Sequence, residues 1–230
     1  MKSIKIIALI FFLSGNCFSQ GTEFGLMGGI NLSDLGTLPA TYTSNSTSGY
    51  HVGGYLNIYL GRKFDLQPQF LYSNLGCVLT QSGPYQIPNT NIVGNLTTVW
   101  NITLSYIQVP IVFVHKFGIG WNYHFGPYFG FLMTDKEHID QTFTYGNQSQ
   151  SGSQDTSSTS GDYKVDVGLT FGIGYQMQSG LGFSLGYSFG LTNTFEAQSY
   201  TDPNSGQVYS SPAFGTNSWY SFSISYLLTR

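Results

Sequence analysis

Apolar and polar residues alternate with a period of two along most of the chain, while a 3.6-residue period is hard to find, so the pattern predicts strands rather than helices. The first predicted strand, residues 22–33, sets Phe24, Leu26, Ile30 and Leu32 against Glu23, Gly25, Met27, Gly29 and Asn31. A second, 49–60, sets Tyr50, Val52, Leu56, Ile58 and Leu60 against His51, Tyr55, Asn57 and Tyr59, and a third, 64–76, sets Phe64, Leu66, Phe70 and Tyr72 against Asp65, Gln67, Gln69 and Ser73. The fourth, 102–116, is almost continuously apolar; the preferred register places Ile107, Val109, Ile111 and Phe113 opposite Gln108. In the fifth, 121–133, Trp121, Tyr123, Phe125, Phe129 and Phe131 oppose Asn122, His124 and Tyr128. The sixth, 162–177, alternates Tyr163, Val165, Val167, Leu169, Phe171, Ile173 and Tyr175 with Lys164, Asp166, Gly168, Thr170 and glycines. The seventh, 181–195, opposes Phe183, Leu185, Tyr187 and Phe189 to Ser184, Gly186 and Ser188, and the eighth opposes Tyr220, Phe222, Ile224, Tyr226 and Leu228 to Trp219, Ser221, Ser223 and Ser225.

Long polar connections and short turns alternate strictly between these eight strands, beginning with a long one. An even strand number with that rhythm predicts an all-β fold: an eight-stranded antiparallel up-and-down transmembrane barrel with four long surface loops and three short periplasmic turns. A soluble eight-stranded barrel has the same alternation with its apolar face turned inward. Composition decides between the two. Only 8% of the chain is Asp, Glu, Lys or Arg while 17% is aromatic, far from a water-exposed surface or a disordered chain. The polar face carries Gly, Ser, Thr, Asn and Gln with four charges, Glu23, Asp65, Lys164 and Asp166, which suits a narrow interior. No charge interrupts the apolar face, which therefore meets lipid, and Tyr50, Tyr72, Trp121, Tyr123 and Tyr220 are placed as interfacial aromatics.

Residues 1–19 combine Lys2 and Lys5, the apolar run 6–13, and small residues before Gln20, the pattern of a secretory signal peptide; residues 20–230 form the barrel domain. With Cys17 removed, Cys77 is left alone, a packing residue rather than half of a disulfide. The expected location is the outer membrane of a Gram-negative bacterium. A formal net charge of -3 leaves no footprint for nucleic acid.

The segments FGLMGGINLS from Phe24, FDLQPQFLYSNLG from Phe64, LSYIQVPIVFVHKFG from Leu104, FGPYFGFL from Phe125 and VGLTFGIGYQMQSGLGFSLGYSFGLTN from Val167 together resemble the PorT-like outer-membrane β-barrel family. The resemblance implies a small barrel with its short turns in the periplasm, in a family whose namesake assists protein secretion. Pro68, Pro110 and Pro127 fall at positions where such sequences often carry proline, and each is expected at a bulge or a strand end.

Candidate chemistry is sparse. Two overlapping G-x-S-x-G patterns centre on Ser184 and Ser188, but a nucleophile elbow needs a strand, a sharp turn and a helix, so a stripe of small inward residues explains both. His51 and His124 face the interior and are read as polar filling. Asp135, Glu137, His138 and Asp140 crowd one loop and are read as solvated rather than as a metal site. Glu23, Asn57, Asp65, Gln67, Gln69, His124, Tyr128, Lys164 and Asp166 are expected to form an interior polar network in which Lys164 is held by the acids. Arg62, Lys63 and Lys116 fall in predicted periplasmic turns, whereas Asp34, Asp135, Glu137, Asp140, Asp155, Glu196 and Asp202 fall in predicted surface loops.

The function expected from these features is that of a small non-enzymatic envelope protein, structural or binding through its loops, with adhesion as one such role. The alternatives are an accessory factor for secretion and a barrel enzyme acting on lipids. No cofactor is expected. The expected partners are outer-membrane lipid, the barrel-assembly and periplasmic chaperone machinery during biogenesis, and an unidentified surface ligand or envelope protein, with the chain itself a monomer.

Overall fold

The computed structural model describes residues 22–87, 90–158, 165–195, 198–201, 208–211 and 213–228, so the signal-peptide reading and Lys164, Glu196 and Asp202 lie outside the described residues. Eleven strands follow one another: β1 (Thr22–Gly36), β2 (Tyr42–Tyr59), β3 (Phe64–Gln86), β4 (Val93–Phe117), β5 (Trp121–Tyr145), β6 (Gln148–Ser158), β7 (Val165–Gln176), β8 (Leu181–Gly190), β9 (Gln198–Thr201), β10 (Val208–Ser211) and β11 (Thr216–Leu227). Eight of them, β1–β5, β7, β8 and β11, pair antiparallel in a closed ring, with β4 joined to β5 and β11 returning to β1.

The register fixes the shape of the ring. Thr22 pairs with Ile58, Ile58 with Leu66, Leu66 with Phe113, Phe113 with Phe125, Phe125 with Phe171, Phe171 with Tyr187, Tyr187 with Tyr220, and Tyr220 with Leu32. One circuit therefore climbs ten residues along β1, from Thr22 to Leu32. Eight strands with that stagger, at a rise of about 3.3 Å and a spacing of about 4.8 Å, tilt by roughly 40° and leave a lumen that side chains just fill.

The apolar face points outward. Leu26, Ile30, Val52, Phe70, Phe125, Phe171, Leu185, Phe222 and Ile224 are all exposed, whereas Asn31, His51, Asp65, Ser73, Gln108 and Ser223 are buried. The fourth strand adopts the register preferred on sequence grounds, with Gln108 inside and Phe113 outside. Aromatic contacts border the band: Trp121 meets Tyr175 at 5.2 Å beside the short turns, while Tyr50 meets Tyr72 at 6.1 Å and Tyr187 meets Tyr220 at 4.8 Å farther along the axis.

Two expectations need correction. Much of the sequence assigned to long surface loops is strand: β2 starts at Tyr42, β3 runs on to Gln86, β4 starts at Val93, β5 continues to Tyr145, and β6, β9 and β10 lie wholly in segments read as loop. Conversely, the seventh predicted strand stops at Gly190 rather than residue 195. Ser, Thr and Gln give no apolar alternation, so backbone ladder pairing there leaves no trace in the hydrophobic pattern. The prolines are also not at bulges or strand ends. Pro68 pairs with Ile111, Pro110 with Tyr128 and Pro127 with Leu169, all inside strands. The ladders skip pairs beside them, from Pro68↔Ile111 to Leu71↔Gln108 and from Pro110↔Tyr128 to Phe113↔Phe125, without losing register. A missing N–H is thus absorbed as a local gap, while the register shifts lie elsewhere, between Ser46 and His51 and at Ser105/Tyr106.

Candidate functional site

The inner surface changes character along the axis. β3 and β4 keep one parity inward throughout: Asp65, Gln67, Gln69 and Ser73 are followed by Leu75, Cys77 and Leu79 on β3, and Gln108 by Tyr106, Leu104 and Ile102 on β4. Leu35, Leu75, Cys77, Leu79, Ile102, Leu104, Tyr106, Tyr128, Leu132 and Trp219 form one buried cluster, with Leu38, Trp100 and Phe195 packed against it. This core fills the ring at the end away from the short turns. Cys77 is fully buried in it and unpaired, a packing residue as its sequence context suggested.

Beneath the core lies a cavity of about 130 Å³ lined by Asn31, His51, Asn57, Gln67, Gln108 and His124, among others. Among the inward polar side chains three separate hydrogen-bonded groups stand out, the third of them outside the cavity lining. Nearest the short turns, Gln67 Nε2 donates to Asn57 Oδ1 at 2.7 Å and Gln69 Nε2 to Gln67 Oε1 at 2.9 Å, with Glu23 in register with Asn57. Beside them Lys116 Nζ lies 2.6 Å from the buried Asp65 Oδ2 and 4.5 Å from the centre of the Tyr59 ring. Lys116, expected in a turn, is an inward residue of β4 and the cation that Asp65 uses. Continuing the parity of Gln108 along the fourth strand would have placed it there.

The second group ties three strands together. His51 Nδ1 is 2.8 Å from Asn31 Oδ1 and His51 Nε2 is 2.8 Å from Ser223 Oγ, both bonds buried. His51, Gly29 and Ser223 are register partners on β2, β1 and β11, so the imidazole crosses over Gly29 to reach the next strand. A Cβ at residue 29 would collide with the Phe222 carbonyl oxygen and stand 2.7 Å from His51 Cε1, so the crossing needs glycine there. The sequence pattern gives His51 as filler with no sign of Asn31 or Ser223 as its partners, because β2 and β11, the two neighbours of β1 in the closed ring, meet here across 172 residues of chain.

The third group surrounds Asp166 and takes in Tyr106 and Tyr128 of the apolar core. Tyr128 donates to Asp166 Oδ2 at 3.2 Å, Asn217 Nδ2 to the same oxygen at 2.8 Å, and Thr192 Oγ1 to Oδ1 at 2.9 Å, while Asn217 Nδ2 also reaches Tyr106 Oη at 3.1 Å. Dipoles from β5, β11 and the segment after β8 thus satisfy a buried carboxylate. Tyr128 and Asp166 were foreseen as interior residues; Thr192, Asn217 and Tyr106 were not. His124 lines the cavity across from Gly172, a position where a Cβ would stand 2.6 Å from its Nε2. The expected role of Lys164 falls on a residue outside the described ones.

Beyond the apolar core, β2–β6 continue as a sheet. β3 has 23 residues, roughly 75 Å along the strand and roughly 55 Å along the axis at this tilt, against an apolar band of about 25 Å. β5 and β6 form its tallest hairpin, turning at Gly146, whose φ of 56° suits glycine. Strand alternation sends Asp135 and Glu137 to one face and His138 and Asp140 to the other, so the acidic run does not converge as a ligand set. Among the described residues no group of three or more His, Cys, Asp or Glu is placed to hold a metal ion. His138 Nδ1 lies 2.6 Å from Asp155 Oδ1 and its Nε2 lies 3.3 Å from Asp140 Oδ1, and the hydrogen bond to Asp155 with the charge of Asp140 raises its pKa above the ordinary histidine value.

The chain matches the outer membrane protein beta-barrel domain family over residues 18–196. Among solved structures it is similar to Neisserial surface protein A, with 11% identity over 90% of this chain and 99% of that one and a TM-score of 0.43. It is similar also to Ail, the attachment invasion locus protein of Yersinia pestis, with 9% identity over 90% and 99% and a TM-score of 0.40. The outer membrane protease OmpT of Escherichia coli matches at 9% identity over 90% and 95% with a TM-score of 0.39. No curated protein matches the sequence.

Proposed function

The chain belongs to the outer membrane protein beta-barrel domain family and so lies in the outer membrane, and from that premise we propose that it is a closed, non-conducting anchor displaying a β-sheet platform outside the cell for contact with other proteins. The observation that carries this reading is the apolar core inside the far end of the ring, from which β3, β4 and β5 rise as one continuous sheet. A lumen packed with Leu75, Leu79, Leu104, Ile102 and Leu132 offers no wet path, and a sheet continuous with the barrel wall holds its shape without a ligand. Adhesion or docking to another envelope protein is the class of work that such a platform suits. The role is non-enzymatic: the two ring nitrogens of His51 are spent on joining β1, β2 and β11, and the buried carboxylates are held by Lys116 or by a cage of dipoles. Within the family, the ordered segments shared along the barrel favour the PorT-like group. The barrel works as a monomer and reaches the membrane through the periplasmic chaperone and barrel-assembly machinery.

Orientation is testable on living cells. Asn147→Cys, in the turn between β5 and β6, is expected to react with a membrane-impermeant maleimide on intact cells, whereas Ile119→Cys, in an exposed short turn, reacts only after lysis. The buried Cys77 of the unmodified chain serves as the unreactive background. Labelling of Ile119→Cys but not Asn147→Cys on intact cells would turn the platform toward the periplasm and end this reading.

A further inference from the structure

The projecting sheet has an open side. β6 pairs with β5 over eleven positions, from Tyr145↔Gln148 to Asp135↔Ser158, with no shift in register, and among the described residues nothing pairs with its other edge. Alternate residues of such an edge aim N–H and C=O groups into water, which is a template for another strand. Proteins usually blunt an exposed edge with proline, lysine or a bulge. The sequence QSQSGSQDTSS has no proline and no basic residue, and its ladder has no bulge. Every side chain from residue 148 to 157 is exposed. Because those side chains are Ser, Gln, Thr, Gly and one Asp, the edge stays soluble while its backbone stays available, unlike an apolar edge that would aggregate.

Charge narrows the partner. The β5–β6 hairpin carries Asp135, Glu137, Asp140 and Asp155 against Lys136 and His138. Asp155 is 87% exposed, and it shares the His138 imidazole with Asp140. A strand added to β6 would bring one of its side chains to within about 5 Å of the Asp155 Cβ, where a Lys or Arg is favoured and an acid is not. Two copies joined through this edge would bring together two hairpins that each carry four acids against one lysine and one histidine, so like charge disfavours self-pairing.

We propose that the open edge of β6 is a strand-addition site for an extended basic segment of another protein that sets a Lys or Arg beside Asp155. The proposal rests on the platform reading and specifies its mode: main-chain hydrogen bonds supply the attachment, and Asp155 supplies the preference for a basic partner.

Purified full-length protein in detergent micelles tests it with three labelled peptides of equal length, followed by fluorescence anisotropy. One alternates Thr and Lys, one alternates Thr and Glu, and one alternates Pro and Lys, which keeps the charge but cannot complete a strand ladder. The Thr/Lys peptide is expected to bind at least about tenfold more tightly than either control, a difference of about 1.4 kcal/mol. Its binding should slow amide exchange along residues 148–158. Asp155→Asn should weaken it severalfold while the hairpin stays folded by the same exchange measurement. Equal binding of the Thr/Lys and Pro/Lys peptides would reduce the site to charge attraction, and absence of binding at millimolar peptide would remove it. A dimer of the protein that the Thr/Lys peptide dissociates would make a second copy the occupant and overturn the choice of partner. None of these failures alters the labelling of Asn147→Cys on intact cells, which tests the platform separately.

Discussion

Leu185→Arg is expected to lower the stability of the inserted barrel by about 2–4 kcal/mol, the cost of an arginine at the bilayer midplane of a β-barrel. Leu185 is 59% exposed on the outer face and pairs with Ile173 on one side and Phe222 on the other. With the ten-residue stagger of the ring, its level falls about midway between that of Trp121, beside a short turn, and that of Leu32 at the other border of the band. An arginine there has no interface within easy reach. Ser184→Ala, the adjacent inward position, pairs with Ser223 and removes only a small hydroxyl beside the cavity, so it should cost less than about 1 kcal/mol. Reversible guanidinium unfolding in lipid vesicles measures both. Equal tolerance of the two substitutions would show that the faces are assigned the wrong way round.

The second large effect is expected at the mouth beside the short turns. Asp65 is 1% exposed, its Oδ2 is held by Lys116 at 2.6 Å, and its Oδ1 has no hydrogen-bond partner among the described residues. Lys116→Met keeps an unbranched side chain but deletes the ammonium that contacts both Asp65 and the Tyr59 ring, leaving a buried carboxylate without its cation. The loss of a fully buried partner costs about 3–5 kcal/mol. Lys116 is 43% exposed, so water screens part of the pair, and about 2–3 kcal/mol is expected here. The double variant Asp65→Asn, Lys116→Met should regain most of that loss, since no uncompensated charge remains. A neutral Lys116→Met in the same unfolding assay would mean that the pair holds nothing in place.

Period-two alternation was sufficient to locate the eight spanning strands, and the scarcity of charge was sufficient to turn their apolar faces outward, because both signals come from burial against lipid. The strand extensions escaped that logic. Residues 148–158 are Ser- and Gln-rich, and what makes them β6 is a two-residue turn at Gly146 followed by ladder pairing to β5, neither of which depends on apolar side chains. Ending the third strand at residue 76 also hid the apolar core, since Cys77 and Leu79 reveal their inward parity only once β3 is allowed to continue.

Single inward residues such as Asp65, Tyr128 and Asp166 were legible from parity, but their partners were not. Asn217 reaches Asp166 across 51 residues of sequence and Ser223 reaches His51 across 172, through closure of the ring rather than through any local pattern. Lys116 was missed for a different reason: at a strand end, a basic residue beside a turn reads as solvated unless the parity of its strand is followed to the last position.

Closure of the lumen by Leu75, Leu79, Ile102, Leu104 and Leu132 above a polar cavity is the claim on which the anchor reading depends. Single-channel recording of the purified protein in planar lipid bilayers tests it most directly. The account predicts no sustained conductance from inserted monomers, because the cavity ends against that apolar core. Large, stable, porin-like currents from monomers would contradict it.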